Sequence, residues 1–434
     1  MRSLVQFRPC ARRLRLFGAV LAVASTVLAG VVVLAPRPAS AATTVLRPNG
    51  DVVNGWQTKP GGTAWDALND DVLDPAPAPA TDWIWAGASG RVAEVGMSTT
   101  AIDERAIHHG SLLFYANTGS TTQLKVEVIW SGAVRGSLTV TAGQGFGWRS
   151  ISIAPGRQSA VDDLRLRFTS VGGGDANVRA AYVTVNAVLP TNTLDWENTG
   201  QRTLPGATPP GAAPPGWKAQ LCCSHSATNV SSPTRAGQWA SRFELNERDL
   251  LSPVGSRRAE LTRPNPDVDE VERWYAFSIY LPGDTWRADK SPEILAQWHQ
   301  QSNYGSPPLS LGTRNGTWEI AQHWGPVDNQ VRTITPLSGY ATDRWTDWVV
   351  HVRWSAGTAG LVEFWQDGRQ VCEFWQDGRQ VCHVEGRNKD ADGYGVYTKF
   401  GVYKWDWADD DPDDSDTSKR VVFHDEYRST EPSS

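Results

Sequence analysis

The chain reads as an all-β protein, an N-terminal β-sandwich followed by a concanavalin-like β-jelly roll. Three observations lead there. Gly, Pro and Trp number 40, 27 and 21 while Met occurs twice. Val-, Thr- and Trp-rich runs recur between Gly, Asp-Gly and Asn-Gly breaks, the pattern of strands and turns. The 434 residues, 40% of them apolar, carry more core material than one sandwich of ordinary size needs.

The first element is a leader. Arg2, Arg8, Arg12, Arg13 and Arg15 precede an apolar run from Phe17 to Ala35 and the small-residue triplet Ala39-Ser40-Ala41. This reads as a secretory signal over residues 1–41, cut after Ala41, and the expected location is extracellular. The competing reading is an uncleaved anchor, because the apolar run approaches the length of a membrane span. Cleavage would remove six arginines and no acid, so the net charge of −6 becomes −12. An acidic protein is a poor partner for nucleic acid or a densely sulfated polymer. A sparsely charged polyuronate held by a few local cations remains compatible. We expect a monomer with no membrane association after cleavage.

Residues 42–190 form the second element, an accessory β-sandwich. Short strand-like runs, among them Leu124 to Ile129, Trp148 to Ile153 and Val178 to Val188, alternate with Gly, Ser and Asn turns. No paired acids or nucleophile elbow occur there. Trp56, Trp65, Trp83 and Trp85 are candidates for stacking on sugar rings, although Trp is more often core.

The Pro-rich run Leu204 to Gly216 is expected to be extended and exposed, either as a linker or as a loop inside the following unit. The latter follows if Thr193 to Glu197 is a strand. Residues 191–434 make up the third element, with strand signals at Trp239 to Leu245, Arg257 to Leu261, Glu272 to Leu281, Glu293 to His299, Thr317 to Gln322, Trp345 to Trp354, Tyr394 to Trp405 and Arg420 to Tyr427. Two consecutive copies of EFWQDGRQVC occupy residues 363–372 and 373–382. One copy, with its Asp-Gly turn, already completes a hairpin, so the other reads as surplus. With no other repeat in the chain, a recent duplication explains it better than a repeat architecture.

Cys10 falls in the leader, leaving Cys222, Cys223, Cys372 and Cys382. Adjacent cysteines rarely bridge each other, so a bridge from the 222/223 pair to the 372/382 pair is expected. Their spacings fit no zinc template. The run Asp406 to Asp416 holds seven Asp in eleven positions. It reads as a solvated acidic loop, with a structural Ca²⁺ site as the functional alternative.

Three strand motifs could do chemistry, because alternation puts residues i and i+2 on one face. Arg258 and Glu260 project together from RAEL, Gln297 and His299 from LAQWHQ, and Tyr397, Lys399, Gly401 and Tyr403 from YTKFGVY. Gly401 would leave room for a ligand to approach the backbone. Side by side these faces suit β-elimination from a uronate. That reaction needs the carboxylate neutralised, a base for the C5 proton and an acid for the departing O4. Arg258 and Gln297 suit the first task, with His299 as a further candidate. Tyr403 suits the proton transfers, assisted by Lys399 and His299, and a nearby cation would favour its phenolate.

The ordered set R-x-E-L, Q-x-H and Y-x-K-x-G-x-Y resembles the signature strands of jelly-roll alginate lyases. SPTRAGQWASRFEL, LAQWHQ, PPLSL and KFGVYKW are still more similar to the heparin lyase I and glucuronan lyase-like group. The resemblance spans roughly residues 193 to 428. It implies His299 and Tyr403 as catalytic residues, Gln297 and Arg258 as carboxylate neutralisers, and Lys399 as a substrate contact; Tyr397 and Glu260 are grouped with it as substrate-binding. Two alternatives stand beside it. A retaining glycoside hydrolase would need two carboxylates about 5 Å apart, for which no E-x-D-x-x-E strand is present. A non-catalytic lectin-like module would need aromatic platforms without the Gln, His, Lys and Tyr set.

Overall fold

The computed structural model describes residues 42–69, 82–101, 103–193, 216–263, 271–300, 305–326, 330–390, 394–408 and 415–431. The leader, Cys10, the Pro-rich run, Leu194 to Glu197 and most of the acidic run lie outside the described residues. Among the described residues no helix is long and apolar enough to cross a membrane.

Alternating apolar residues build two cores. In the first half, a five-stranded sheet runs in the order Pro48–Asn54, Val92–Met97, Arg165–Gly172, Thr122–Trp130, Ala133–Val140. It faces the strands Gln57–Lys59, Trp83–Ala86, Ala176–Val188, Ile107–Thr118 and Gly147–Ile153 across a core that includes Phe114, Leu124, Phe168 and Val183. Trp56 belongs to this core, which removes it from the sugar-stacking candidates considered above, and Trp65 is half-buried against it. Trp83 and Trp85 lie on the sheet's other face, where strand alternation sends them away from buried Ile84 and Ala86.

In the second half, a seven-stranded antiparallel sheet has the order Lys218–Gln220, Arg258–Thr262, Val396–Tyr403, Glu293–Gln300, Leu309–Arg314, Thr317–Trp324, Val331–Gly339. Opposite it lie Ala227–Val230, Ala240–Asn246, Lys419–Ser429, Glu272–Tyr280, Trp345–Arg353 and Leu361–Gln366. Between them is an aromatic core that includes Trp298, Trp318, Trp348, Trp354 and Phe364, all fully buried. Each such side chain contributes about 2–3 kcal/mol of transfer free energy. The edge strand Val331–Gly339 is not evident from sequence, because Pro336 interrupts it; an edge position tolerates the missing donor.

The two halves meet through a small third cluster of Ile107, Ala154, Val188, Trp274, Ala276, Val349 and Trp365. The first copy of the duplicated decapeptide sits in this junction. Its Arg369 pairs with Ile153, and Trp365 Nε1 donates to Ser152 Oγ at 3.2 Å. A side chain on Gly368 would meet the Trp130 ring at 2.0 Å. The other copy makes a separate two-stranded ribbon, Phe374–Gln376 with Arg379–Val381. Trp375 there is 65% exposed, whereas Trp365, at the same place in the first copy, is 3% exposed. This ribbon is not wholly surplus, since Phe374 is buried in the main core beside Phe364.

The disulfides differ from expectation. Cys222 bonds to Cys223 and Cys372 to Cys382. The latter bridge closes the extra ribbon on itself, because the repeat puts its two cysteines at either end of one hairpin.

Candidate active site in the concave sheet

Backbone register sets the site. On the seven-stranded sheet Arg258 lies opposite Tyr403, Glu260 opposite Gly401, and Thr262 opposite Lys399. On the other side of the Val396–Tyr403 strand, Lys399 faces Gln297, Tyr397 faces His299, and Tyr403 faces Ile294. A bulge between Ile294 and Ala296 sends Leu295 and Ala296 both into the core, which leaves Ile294, Gln297 and His299 on the cleft side.

A cleft of about 610 Å³ lies over this face, and Arg258, Gln297, His299 and Tyr403 line it. Tyr397, Lys399 and Glu260 do not line it. Glu260 is 0% exposed, which corrects its assignment to substrate contact. Its Oε2 accepts from Arg258 NH1 at 2.9 Å and its Oε1 from Gln297 Nε2 at 2.5 Å, so it is a positioning residue. Arg258 also donates to Ser256 Oγ at 2.5 Å and to Gln220 Oε1 at 3.2 Å, and its guanidinium lies 3.8 Å from the Tyr403 ring centroid. Gln297 Oε1 is buried and has no hydrogen-bond partner among the described residues.

His299 is held as a neutral base. Its Nδ1 is 2.6 Å from the Gln300 carbonyl, an acceptor only, so Nδ1 carries the proton and Nε2 keeps its lone pair. Burial, then the Lys399 charge, lowers its pKa from 6.5 to about 4. Lys399, buried opposite Gln297, is lowered to about 8, chiefly by burial. Tyr403 runs against expectation. Arg258 pulls its pKa down, but burial outweighs the cation and the net shift is upward, so near neutral pH Tyr403 is a proton donor and not a phenolate. Tyr397 shifts upward for the same leading reason.

Gly401 is required by the neighbouring strand and not by a ligand. It sits at φ +140°, and a Cβ would lie 2.1 Å from the Ala259 carbonyl oxygen.

Below the cleft rim, Lys404 and Arg420 are buried with Asp289 and Glu293. Lys404 Nζ lies 3.0 Å from Glu293 and 3.4 Å from Asp289, and Arg420 NH2 lies 3.2 Å from each acid. This quartet pins the residue after Tyr403 to the residue before Ile294.

The cleft also contains groups absent from the sequence reading: Glu319, His323 and Arg332. Alternation along Thr317–Trp324 puts Glu319, Ala321 and His323 on one face, and Arg332 pairs with His323. The sequence carries this face as E-x-A-x-H, Glu319 to His323, in a strand that runs to Trp324 and so past the Gln322 end expected from sequence. His323 repeats the His299 arrangement, with Nδ1 3.0 Å from the Pro307 carbonyl.

Among the described residues, Cys222, Cys223 and Asp249 make up the one set close enough to hold a metal ion, and the disulfide occupies both sulfurs. Of the acidic run, Asp406 accepts from Ser291 Oγ at 2.7 Å and Asp416 from the Lys290 amide at 3.0 Å. The five Asp residues between them lie outside the described residues.

The fold is a β-jelly roll whose seven-stranded sheet carries Arg258, Gln297, His299 and Tyr403 at one cleft. The chain belongs to the polysaccharide lyase family, whose sequence model matches residues 192–428, and it is a polysaccharide lyase. No curated protein matches the sequence. Among solved structures, the endo-β-1,4-glucuronan lyase of the fungus Trichoderma reesei is similar at 18% identity, covering 47% of this chain and 85% of that one, with a TM-score of 0.39. The exolytic alginate lyase of Zobellia galactanivorans matches at 11% identity over 50% of this chain and 96% of that one, TM-score 0.34. A truncated lyase with a carbohydrate-binding module and an alginate lyase domain matches at 10% identity over 90% and 100% of the two chains, TM-score 0.34.

Proposed function

We propose that this polysaccharide lyase is secreted and cleaves a uronic-acid polymer by β-elimination, with residues 191–434 as the lyase unit and 42–190 as an accessory sandwich. The observation that carries the reading is the hydrogen bond that fixes the tautomer of His299, which offers an unprotonated Nε2 in the same cleft as Arg258, Gln297 and a protonated Tyr403.

In this reading Arg258, with Gln297 beneath it, neutralises the uronate carboxylate, which makes the C5 proton removable. His299 Nε2 takes that proton. The C5 electron pair forms the C4=C5 double bond, the C4–O4 bond breaks, and the Tyr403 hydroxyl protonates the departing O4. Water carries the proton from His299 to the Tyr403 phenolate, which restores both groups. Lys399, behind Gln297, acts on the site by its charge.

The test is the mass of the products from glucuronan, alginate, heparin and pectate offered separately. Elimination gives a chain end one water lighter than hydrolysis does. Such ends from one polymer support the reading. Products of hydrolytic mass would overturn it in favour of a hydrolase.

A further inference from the structure

The outer face of the first sandwich carries an unassigned set of aromatic and cationic side chains. Its strands, Ala42–Leu46, Gln57–Lys59, Trp83–Ala86, Ile107–Thr118, Gly147–Ile153 and Ala176–Val188, contain no Asp or Glu at all. In a chain of net charge −6 this is a local inversion. Asp82 directly precedes Trp83 and Asp175 directly precedes Ala176, and the Asp175 carboxylate lies beside the Trp85 ring at Gly87, so the acids border this face at its rim and none lies within its strands.

Register brings the groups together. Trp85 lies opposite Asn177 and Gln57, and Lys59 opposite Trp83. Lys59 Nζ lies 5.6 Å from the Trp83 ring and 5.9 Å from the Trp85 ring. The Arg179 guanidinium is held between two rings, 4.0 Å from Phe146 and 5.4 Å from Trp83. Phe146 stacks on Tyr115 at 5.5 Å, which in turn touches Trp148 at 5.3 Å. Arg179 Nε is buried and has no hydrogen-bond partner among the described residues. Arg179 as a whole is only half-buried, so the rest of its guanidinium stays open to a ligand, and a carboxylate is the acceptor whose geometry matches the guanidinium fork. The adjacent rings suit the C–H faces of sugar rings.

We propose that this face, built around Arg179, Trp83 and Lys59, is a second binding site, for a glycan chain bearing carboxylates. It rests on the polyuronate reading of the cleft and extends it: the accessory sandwich holds the same class of polymer that the cleft cuts.

The test is electrophoresis of the full chain through native gels containing glucuronan or alginate, with a neutral glucan gel as reference. Turnover of a short oligouronate and melting temperature are measured on the same proteins. Arg179→Gln should weaken retardation in one of the polyuronate gels at least about fivefold while melting and short-oligomer turnover stay at the wild-type level. Lys59→Gln, at an exposed edge position, should weaken it in the same direction. Wild-type retardation in both variants would overturn the site, as would retardation of equal strength in the neutral gel. Retardation that depends on Arg179, from a protein that yields no unsaturated product, would leave this face standing while the lyase reading of the cleft fell.

Discussion

The buried carboxylate of Glu260 accepts the side-chain amide of Gln297 at 2.5 Å, and with its other oxygen it holds Arg258 at 2.9 Å. One acid thus sets the positions of both groups assigned to the substrate carboxylate. Glu260→Gln keeps the shape but loses the charge that orients them. It should lower kcat/KM by about a hundredfold, the scale of a misplaced catalytic group, mainly through kcat. Glu260→Asp should recover part of this. Wild-type kinetics in Glu260→Gln would show that the carboxylate does not position the site.

The acid limb of the activity profile should report His299. Its pKa of about 4 means the imidazole is neutral above that pH, so kcat/KM should fall as pH drops through about 4. Because the Lys399 charge helps lower it, Lys399→Met should move that limb upward. Stability follows the same sign. A histidine at about 4 when folded and 6.5 when unfolded binds fewer protons in the native state, so its contribution is lost as pH falls from about 6.5 to about 4. His108, His109 and His424 are lowered chiefly by burial and act in the same direction. Asp425, pushed up to about 6 by burial, and His351, which burial lowers but Glu272 and Glu363 raise on balance, act in the opposite direction. The lowered histidines outnumber them, so melting temperature measured across this range should decline toward acid, and a flat profile would contradict it.

The duplicated decapeptide supplies matched controls. Asp367 and Asp377 occupy the same turn position, at φ +50° and +51°, so replacement by Ala strains both backbones alike. Only Asp367 accepts from the Asp347 amide at 2.9 Å and from Arg344 NH2 at 2.5 Å. Asp367→Ala should cost about 1–3 kcal/mol more than Asp377→Ala in urea unfolding. Trp365→Ala should cost about 3–5 kcal/mol, against about 0.5 kcal/mol for Trp375→Ala. Equal losses in the two copies would mean that they share one slot in the sheet.

Lys404→Met would leave Arg420 as the one cation of the quartet facing Asp289 and Glu293 in a buried setting. Removing one member of such a group costs about 3–5 kcal/mol. A fall in unfolding free energy of that size is expected. A neutral effect would show that the quartet is not what ties the Tyr403 end of its strand to Ile294.

The site's strands were legible because their alternation is strict: Ala259, Leu261, Phe400 and Val402 all face the core, as the pattern required. The bulge at Ile294 was not, since two adjacent core residues look like any apolar run. Gly401 was visible as special, but its reason, the close approach of the Ala259 carbonyl, is a cross-strand fact. Burial was equally invisible. From sequence, a cation near Tyr403 suggested a phenolate; the depth of the cleft reverses the sign. The Cys222–Cys223 bridge defeats an argument from local strain alone.

The most direct measurement is the ultraviolet absorbance of the unsaturated uronate end as the protein acts on each polymer in turn. Absorbance should grow with one polyuronate and be abolished by His299→Ala and by Tyr403→Phe, with melting temperature retained. Growth that persists in both variants would contradict the assignment of proton transfer to this pair.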